Sequence, residues 1–328
     1  MSSVHNKRFV DQIMVMFGRE TKKPEQFTEK AIQVHQLKRM TNKEAFLNAS
    51  KEAHRLQQLK SQKWRNRRWA TLIFANLLFV ISFALDIQIL EGALTASRFV
   101  GFHLIDLNSA LQVMLAHKHI IVNLLIGTAT VFFLWVLLGG RTFCSWVCPY
   151  HLVAEWFEAL HLKLVEKKLV TDHEFHRGAR TVFWVLFSLL AIVTGYTVFE
   201  TLSPTGILSR ALIYGPSLAL AWVFLLLLFE VFYSRRAWCR YVCPIGLTYG
   251  MVGTVSPLRI VYRLDKCFHE GDCRKVCLVP HVLDVVIKGR AEEAVMSIGP
   301  DCTRCGLCVD TCPSGALTYG VKGLDKLL

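Results

Sequence analysis

Arg141-Thr142-Phe143-Cys144-Ser145-Trp146-Val147-Cys148-Pro149 and Arg236-Ala237-Trp238-Cys239-Arg240-Tyr241-Val242-Cys243-Pro244 are two copies of one CxxxCP pattern, each following a long apolar run. There are four such runs, Trp69–Leu90, Ile120–Gly139, Thr181–Phe199 and Ala211–Phe232. Each has roughly the 20 residues that cross a hydrocarbon core of about 30 Å. Uninterrupted runs of that length span as helices, which satisfy their own backbone hydrogen bonds. The repeat therefore predicts an all-α membrane bundle of four transmembrane helices, built as two parallel hairpin repeats about an axis along the membrane normal. The four cysteines then lie at one depth, and on a helix Cys144/Cys148 and Cys239/Cys243 are i, i+4 pairs sharing a face.

Working outward, charge gives an orientation. The 328 residues carry a net charge of +13 and are 53% hydrophobic, above the usual 45–50% of soluble domains. Lys and Arg number 16 before the first run, 2 before the second, 6 before the third, 1 before the fourth and 13 after it. By the positive-inside rule this places both termini on the cytoplasmic side of a bacterial inner membrane, as a multi-pass protein. The same asymmetry accounts for the basic balance without nucleic acid as a partner. No early apolar segment resembles a cleaved signal.

Residues 1–68 form a basic N-terminal extension. Phe9–Phe17 and Ala45–Leu59 read as amphipathic helices, and the stretch ends in Lys63, Arg65, Arg67 and Arg68. Two readings stand, a docking surface for membrane lipid or a protein partner and a solvated tail. The membrane domain is set at 69–258, with an interfacial helix over Tyr150–Val170. A small soluble domain follows at 259–328.

That last domain contains Cys302, Cys305, Cys308 and Cys312-Pro313, a C-x2-C-x2-C-x3-C-P run. This is the bacterial iron–sulfur spacing: three close thiolates wrap one cluster and the fourth reaches the neighbouring one. Structural zinc more often uses two separated CxxC pairs. A degenerate copy precedes it, with Cys267, Cys273 and Cys277 at the first, third and fourth positions and Glu270 at the second. Cross-ligation predicts a [4Fe–4S] site of Cys277, Cys302, Cys305 and Cys308. It also predicts a second site of Cys267, Cys273 and Cys312, either [4Fe–4S] with the harder Glu270 carboxylate on one iron or [3Fe–4S]. His269 is an adjacent substitute. The chain thus reads as the four-helix bundle plus a small α+β ferredoxin-like domain. Cys144, Cys148, Cys239 and Cys243 are candidates for a further cluster or other metal, with a redox dithiol and buried packing as alternatives.

Taken together, Phe143-Cys144…Cys148-Pro149, Trp238-Cys239…Cys243-Pro244-Ile245-Gly246, the four runs and the terminal cysteines resemble the NapH/MauN family of ferredoxin-type membrane proteins. The resemblance covers about residues 65–320. It implies a component of a quinol dehydrogenase, passing electrons from the quinone pool through iron–sulfur clusters to ferredoxin-type or cytochrome redox subunits. A copper reductase or maturation factor, and a non-catalytic anchor for other redox subunits, are the alternative functions. Asp86, Glu91, His103, Asp106, His117 and His119 are candidate acceptors of a quinol proton. Glu230, in the fourth run, is a functional candidate or a partner for Arg235 or Arg236.

Overall fold

The computed structural model describes the chain apart from residues 1, 25, 41–42, 59–61, 87–89, 100–101 and 323–328. The end of the predicted helix at Leu59 and part of the first apolar run therefore lie outside the described residues. The N-terminal portion forms α1 (Ser2–Met16), α2 (Glu29–Met40) and α3 (Lys43–Gln58). The long helix α4 (Lys63–Ala84) leads to an antiparallel meander, β1 (Leu90–Ala93), β2 (Ala96–Phe99) and β3 (Phe102–Ile105). Then come α5 (Leu107–His117), α6 (Val122–Leu138), α7 (Thr142–Trp146), α8 (Pro149–Glu166), α9 (Ala179–Thr194), α10 (Val198–Leu202), α11 (Pro204–Tyr214) and α12 (Ala219–Phe232). A five-residue π turn, Trp238–Val242, precedes α13 (Pro244–Val255).

The C-terminal unit is a three-stranded antiparallel sheet with β4 (Leu258–Arg263) in the middle, flanked by β5 (Val295–Ser297) and β6 (Leu317–Val321). Short helices α14 (Asp272–Lys275) and α15 (Leu307–Thr311) and a 3₁₀ segment, Pro280–Val286, carry the cysteine loops. Tyr262 and Leu264 are fully buried beside these cysteines, in one apolar core.

The four-span bundle is not what forms. Among the described residues, only α4 is both long and apolar enough to cross a membrane, its 22 residues extending about 33 Å. Helices α6, α9 and α12 have 17, 16 and 14 residues, about 21–26 Å, short of the core thickness. Local chemistry sets these ends. Gly139 and Gly195 take left-handed C-cap conformations and stop α6 and α9. The run Ala211–Phe232 is cut at Gly215-Pro216, where Gly215 has φ +96° and Pro216 cannot continue a helix.

The hairpin repeats fail for a second reason. Helix α4 packs on β1, α7, α8, α11 and α15, while α6 packs on β3, α5 and α13. The helix after each CxxxCP motif lies against an apolar helix of the other half, α8 on α12 and α13 on α6. This fold does not support the multi-pass topology or the compartment that topology gave the termini. Part of the basic extension is built into the fold. Arg68 is fully buried, with Nη2 2.6 Å from both Glu155 carboxylate oxygens and Nη1 2.9 Å from His151 Nε2.

Nor are the described residues of the extension, 1–68, a solvated tail. Thr28 N donates to Glu292 O at 2.9 Å, His35 Nε2 meets Ala291 O at 3.1 Å, and Lys38 Nζ donates to Leu264 and Cys267 carbonyls. The strap continues where Trp64 N and Arg65 N donate to Asp310 Oδ2 at 2.9 and 3.0 Å. The N-terminal helices thus wrap the C-terminal unit.

Candidate metal centres

Proline sets the backbone at the edge of each cysteine group. A residue before proline is pushed out of the helical region into extended backbone. Cys148, Cys243 and Cys312 adopt φ/ψ of −63/118°, −62/111° and −71/111°. Cys148 and Cys243 become N-caps of α8 and α13, with proline at the first helical position. Cys148 Sγ lies 3.2 Å from Thr205 Oγ1, and the backbone N–H groups opening the two helices favour the thiolates, Tyr150 and His151 at Cys148 and Ile245 and Gly246 at Cys243. A helix N-terminus favours negative charge, so both motifs aim thiolate-stabilising ends into one space.

That space is a single cavity lined by Cys144, Cys148, Cys239 and Cys243. The shared-helix-face arrangement is not kept. Helix α7 ends at Trp146, before Cys148, and the π turn ends at Val242, before Cys243. Burial pushes the Cys148 thiol up to about 11 and the Cys243 thiol up to about 12, the nearby Cys144 adding to both. Thiols this deep are uncharged on their own, whereas a coordinated metal deprotonates them outright. Arg141, Arg180 and Arg236 also line the cavity, and the Arg141 charge favours the Cys144 thiolate. Soft, convergent, cation-flanked thiols fit an iron–sulfur cluster.

A second cavity is lined by Cys277, Cys302, Cys305 and Cys308 with Ile260, Val282 and Leu283. Burial pushes the Cys302 thiol up to about 11, and an adjacent Arg304 opposes this. Arg304 anchors the loop by donating to Leu258 O at 2.7 Å and to Gly139 O. The two cavities share a wall, since Val279 and Thr303 line both.

The third group is Cys267, Cys273 and Cys312. Cys273 is pushed up to about 12 by burial, then by Cys267 and Cys312. Tyr262 is buried in the same apolar core as Cys267 and Cys273, and His269 N donates to Cys267 Sγ at 3.3 Å. Glu270 is turned to α3, meeting Ser50 Oγ and His54 Nε2. All eleven cysteines are free.

Several polar candidates have structural partners. Asp106 caps α5, its Oδ2 accepting from Asn108 N and Ser109 N at 3.1 and 3.2 Å. Glu230 Oε1 accepts from Trp238 N at 2.9 Å and so holds the π turn, while Arg235 and Arg236 both pair with Glu158. Sequence reasoning missed Asp301 and His281. Asp301 takes Arg141 at 2.7 Å, Arg180 at 2.9 Å and His281 Nε2 at 2.8 Å. Burial holds His281 down at about 4, so it is neutral and donates its Nε2–H. The available signal was Arg141 itself, which heads its motif as Arg236 heads the other.

Two family models, both described as a 4Fe-4S binding domain, match the chain, one at residues 120–168 and 214–260 and the other at 300–318. With three thiol groups gathered in the fold, this defines an iron–sulfur protein with a general electron-transfer role. The ferredoxin-type protein NapH of Haemophilus influenzae is 33% identical over 60% of this chain and 68% of its own. The methylamine utilization ferredoxin-type proteins MauN of Paracoccus denitrificans and Methylorubrum extorquens are 33% and 30% identical. They cover 73% and 81% of this chain and 84% and 91% of their own. The chain belongs to the NapH/MauN family of ferredoxin-type proteins. No solved structure matches it.

Proposed function

We propose that the chain passes electrons from quinol to a partner redox subunit through three adjacent iron–sulfur centres. The first is held by Cys144, Cys148, Cys239 and Cys243, the second by Cys277, Cys302, Cys305 and Cys308, and the third by Cys267, Cys273 and Cys312. The observation that carries this reading is the common wall of Val279 and Thr303 between the first two cavities. The second and third groups share one apolar core, which holds Cys267, Cys273, Cys277, Cys302, Cys305 and Cys308 with Cys312 packed against it. A line of neighbouring thiol groups suits stepwise one-electron transfer. When bound, the clusters supply the redox chemistry. The chain ligates them, buries them and sets their potentials through backbone N–H donors to sulfur and through the arginine charges beside the thiols.

A lipid-soluble donor fits the apolar exterior. Phe74, Phe133, Val193 and Leu225 are exposed on α4, α6, α9 and α12, and large exposed apolar patches mark membrane or partner contact. The test is anaerobic purification, iron and sulfide counting, and EPR before and after a reduced quinol analogue. Quinol-dependent reduction of the cluster signals is the expected result. Loaded clusters that stay oxidised would point to the copper-handling or anchoring alternatives.

A further inference from the structure

The third cysteine group offers three thiols where a four-iron cluster takes four ligands. Glu270 stands at the missing position, but its carboxylate is engaged. Ser50 Oγ donates to Oε1, and His54 Nε2 lies 2.5 Å from Oε2. Both residues come from α3. Asp272 Oδ2 sits 3.8 Å from the same imidazole, and Asp272 Oδ1 accepts from Lys275 Nζ at 2.8 Å. Helix α3 is anchored beyond them, because Gln57 Nε2 donates to Asp310 O. His269, the other nearby donor, meets Cys267 Sγ at 3.8 Å with its Nδ1 edge, and that nitrogen is 2.8 Å from Val286 O.

We propose that α3 withholds Glu270 from the cysteine group, so that Cys267, Cys273 and Cys312 hold a three-iron cluster whose open corner is controlled by the N-terminal segment. This rests on the iron–sulfur reading above and assigns the segment a role in iron uptake at one site. The conversion balances. One electron from an added reductant takes [3Fe–4S]⁺ to [3Fe–4S]⁰, and this adds one Fe²⁺ to give [4Fe–4S]²⁺ with sulfide unchanged. A freed Glu270 carboxylate supplies an oxygen ligand to the added iron.

The test uses the full chain, purified anaerobically, with EPR and Mössbauer spectra before and after dithionite and ferrous iron. The oxidised wild type is expected to show the nearly isotropic EPR signal of a three-iron cluster. Glu270→Cys is expected to lose that signal and gain one iron per chain. The Ser50→Ala/His54→Ala double variant is expected to lose it on reduction with ferrous iron under conditions where the wild type keeps it. A wild type in which every iron belongs to four-iron clusters overturns the proposal, whether the extra ligand proves to be Glu270 or a nitrogen coupled to the cluster. So does a double variant that takes up iron no faster than wild type. Failure of the underlying reading is separate, and shows as an iron content unchanged by Cys302→Ala.

Discussion

Arg141 Nη1 donates to both the carbonyl and the carboxylate of Asp301, each at 2.7 Å, across 160 positions of sequence. Arg141 heads the first CxxxCP motif and Asp301 directly precedes Cys302, so this one contact joins two thiol groups. Burial opposes the Asp301 charge, but Arg141 and Arg180 outweigh it and hold the carboxyl far below the carboxylate range. Ser145 Oγ→Thr303 O at 2.7 Å and Trp146 Nε1→Arg304 O at 3.1 Å complete the junction.

Asp301→Asn leaves two buried guanidiniums without their counter-charge. Removing one partner of such a network costs about 3–5 kcal/mol. Chemical denaturation should show a loss of that size. Arg141→Lys should also destabilise, because an ammonium does not reproduce the paired donors of a guanidinium.

Cys243→Ser and Cys148→Ser should each lower iron by about four per chain while leaving the signals of the C-terminal groups in place. Colorimetric iron and sulfide assays with EPR check this. Unchanged iron in both variants would remove the CxxxCP cavity from the list of cluster sites.

Glu158 bridges Arg235 and Arg236 in a buried site. Burial raises its carboxyl pKa, but the two guanidiniums together outweigh burial and hold it below 4.5. A depressed folded pKa contributes stability that is full above the unfolded value and is lost as pH falls through the folded one. The gap in melting temperature between wild type and Glu158→Gln should therefore be constant near neutrality and close below about pH 4. A gap that widens on acidification would contradict the pairing.

Gly306 has φ +79°, and an added Cβ would stand 2.6 Å from Trp64 Cβ. Left-handed strain alone costs about 1–3 kcal/mol. Gly306→Ala should lower the melting temperature. It should also shift the tryptophan fluorescence by displacing Trp64 from Tyr319, where the ring centroids are 4.2 Å apart.

Much of the cysteine arrangement is readable from spacing. The C-x2-C-x2-C-x3-C-P template groups Cys277 with the later run, and the repeat brings together two cysteine pairs 95 positions apart. What the sequence reading lost is equally specific. Gly215-Pro216 breaks an apolar run that hydropathy alone reads as one span, although a Gly-Pro pair is itself a turn signal. Gly139 and Gly195 shorten two others. The contacts of the N-terminal segment were not readable, because they join groups more than 200 positions apart, such as Lys38 Nζ with the Leu264 carbonyl and Trp64 N with Asp310 Oδ2. Neither was the Arg141–Asp301 contact, since no local pattern encodes the partner of a lone arginine.

The most direct test of the central claim is EPR of the fully reduced, iron-loaded chain, compared with Cys243→Ser. Three adjacent centres predict a broadened spectrum from magnetic interaction between neighbouring clusters, which simplifies when the CxxxCP centre is removed. A wild-type spectrum that is the sum of isolated clusters, unchanged by Cys243→Ser, would contradict the account.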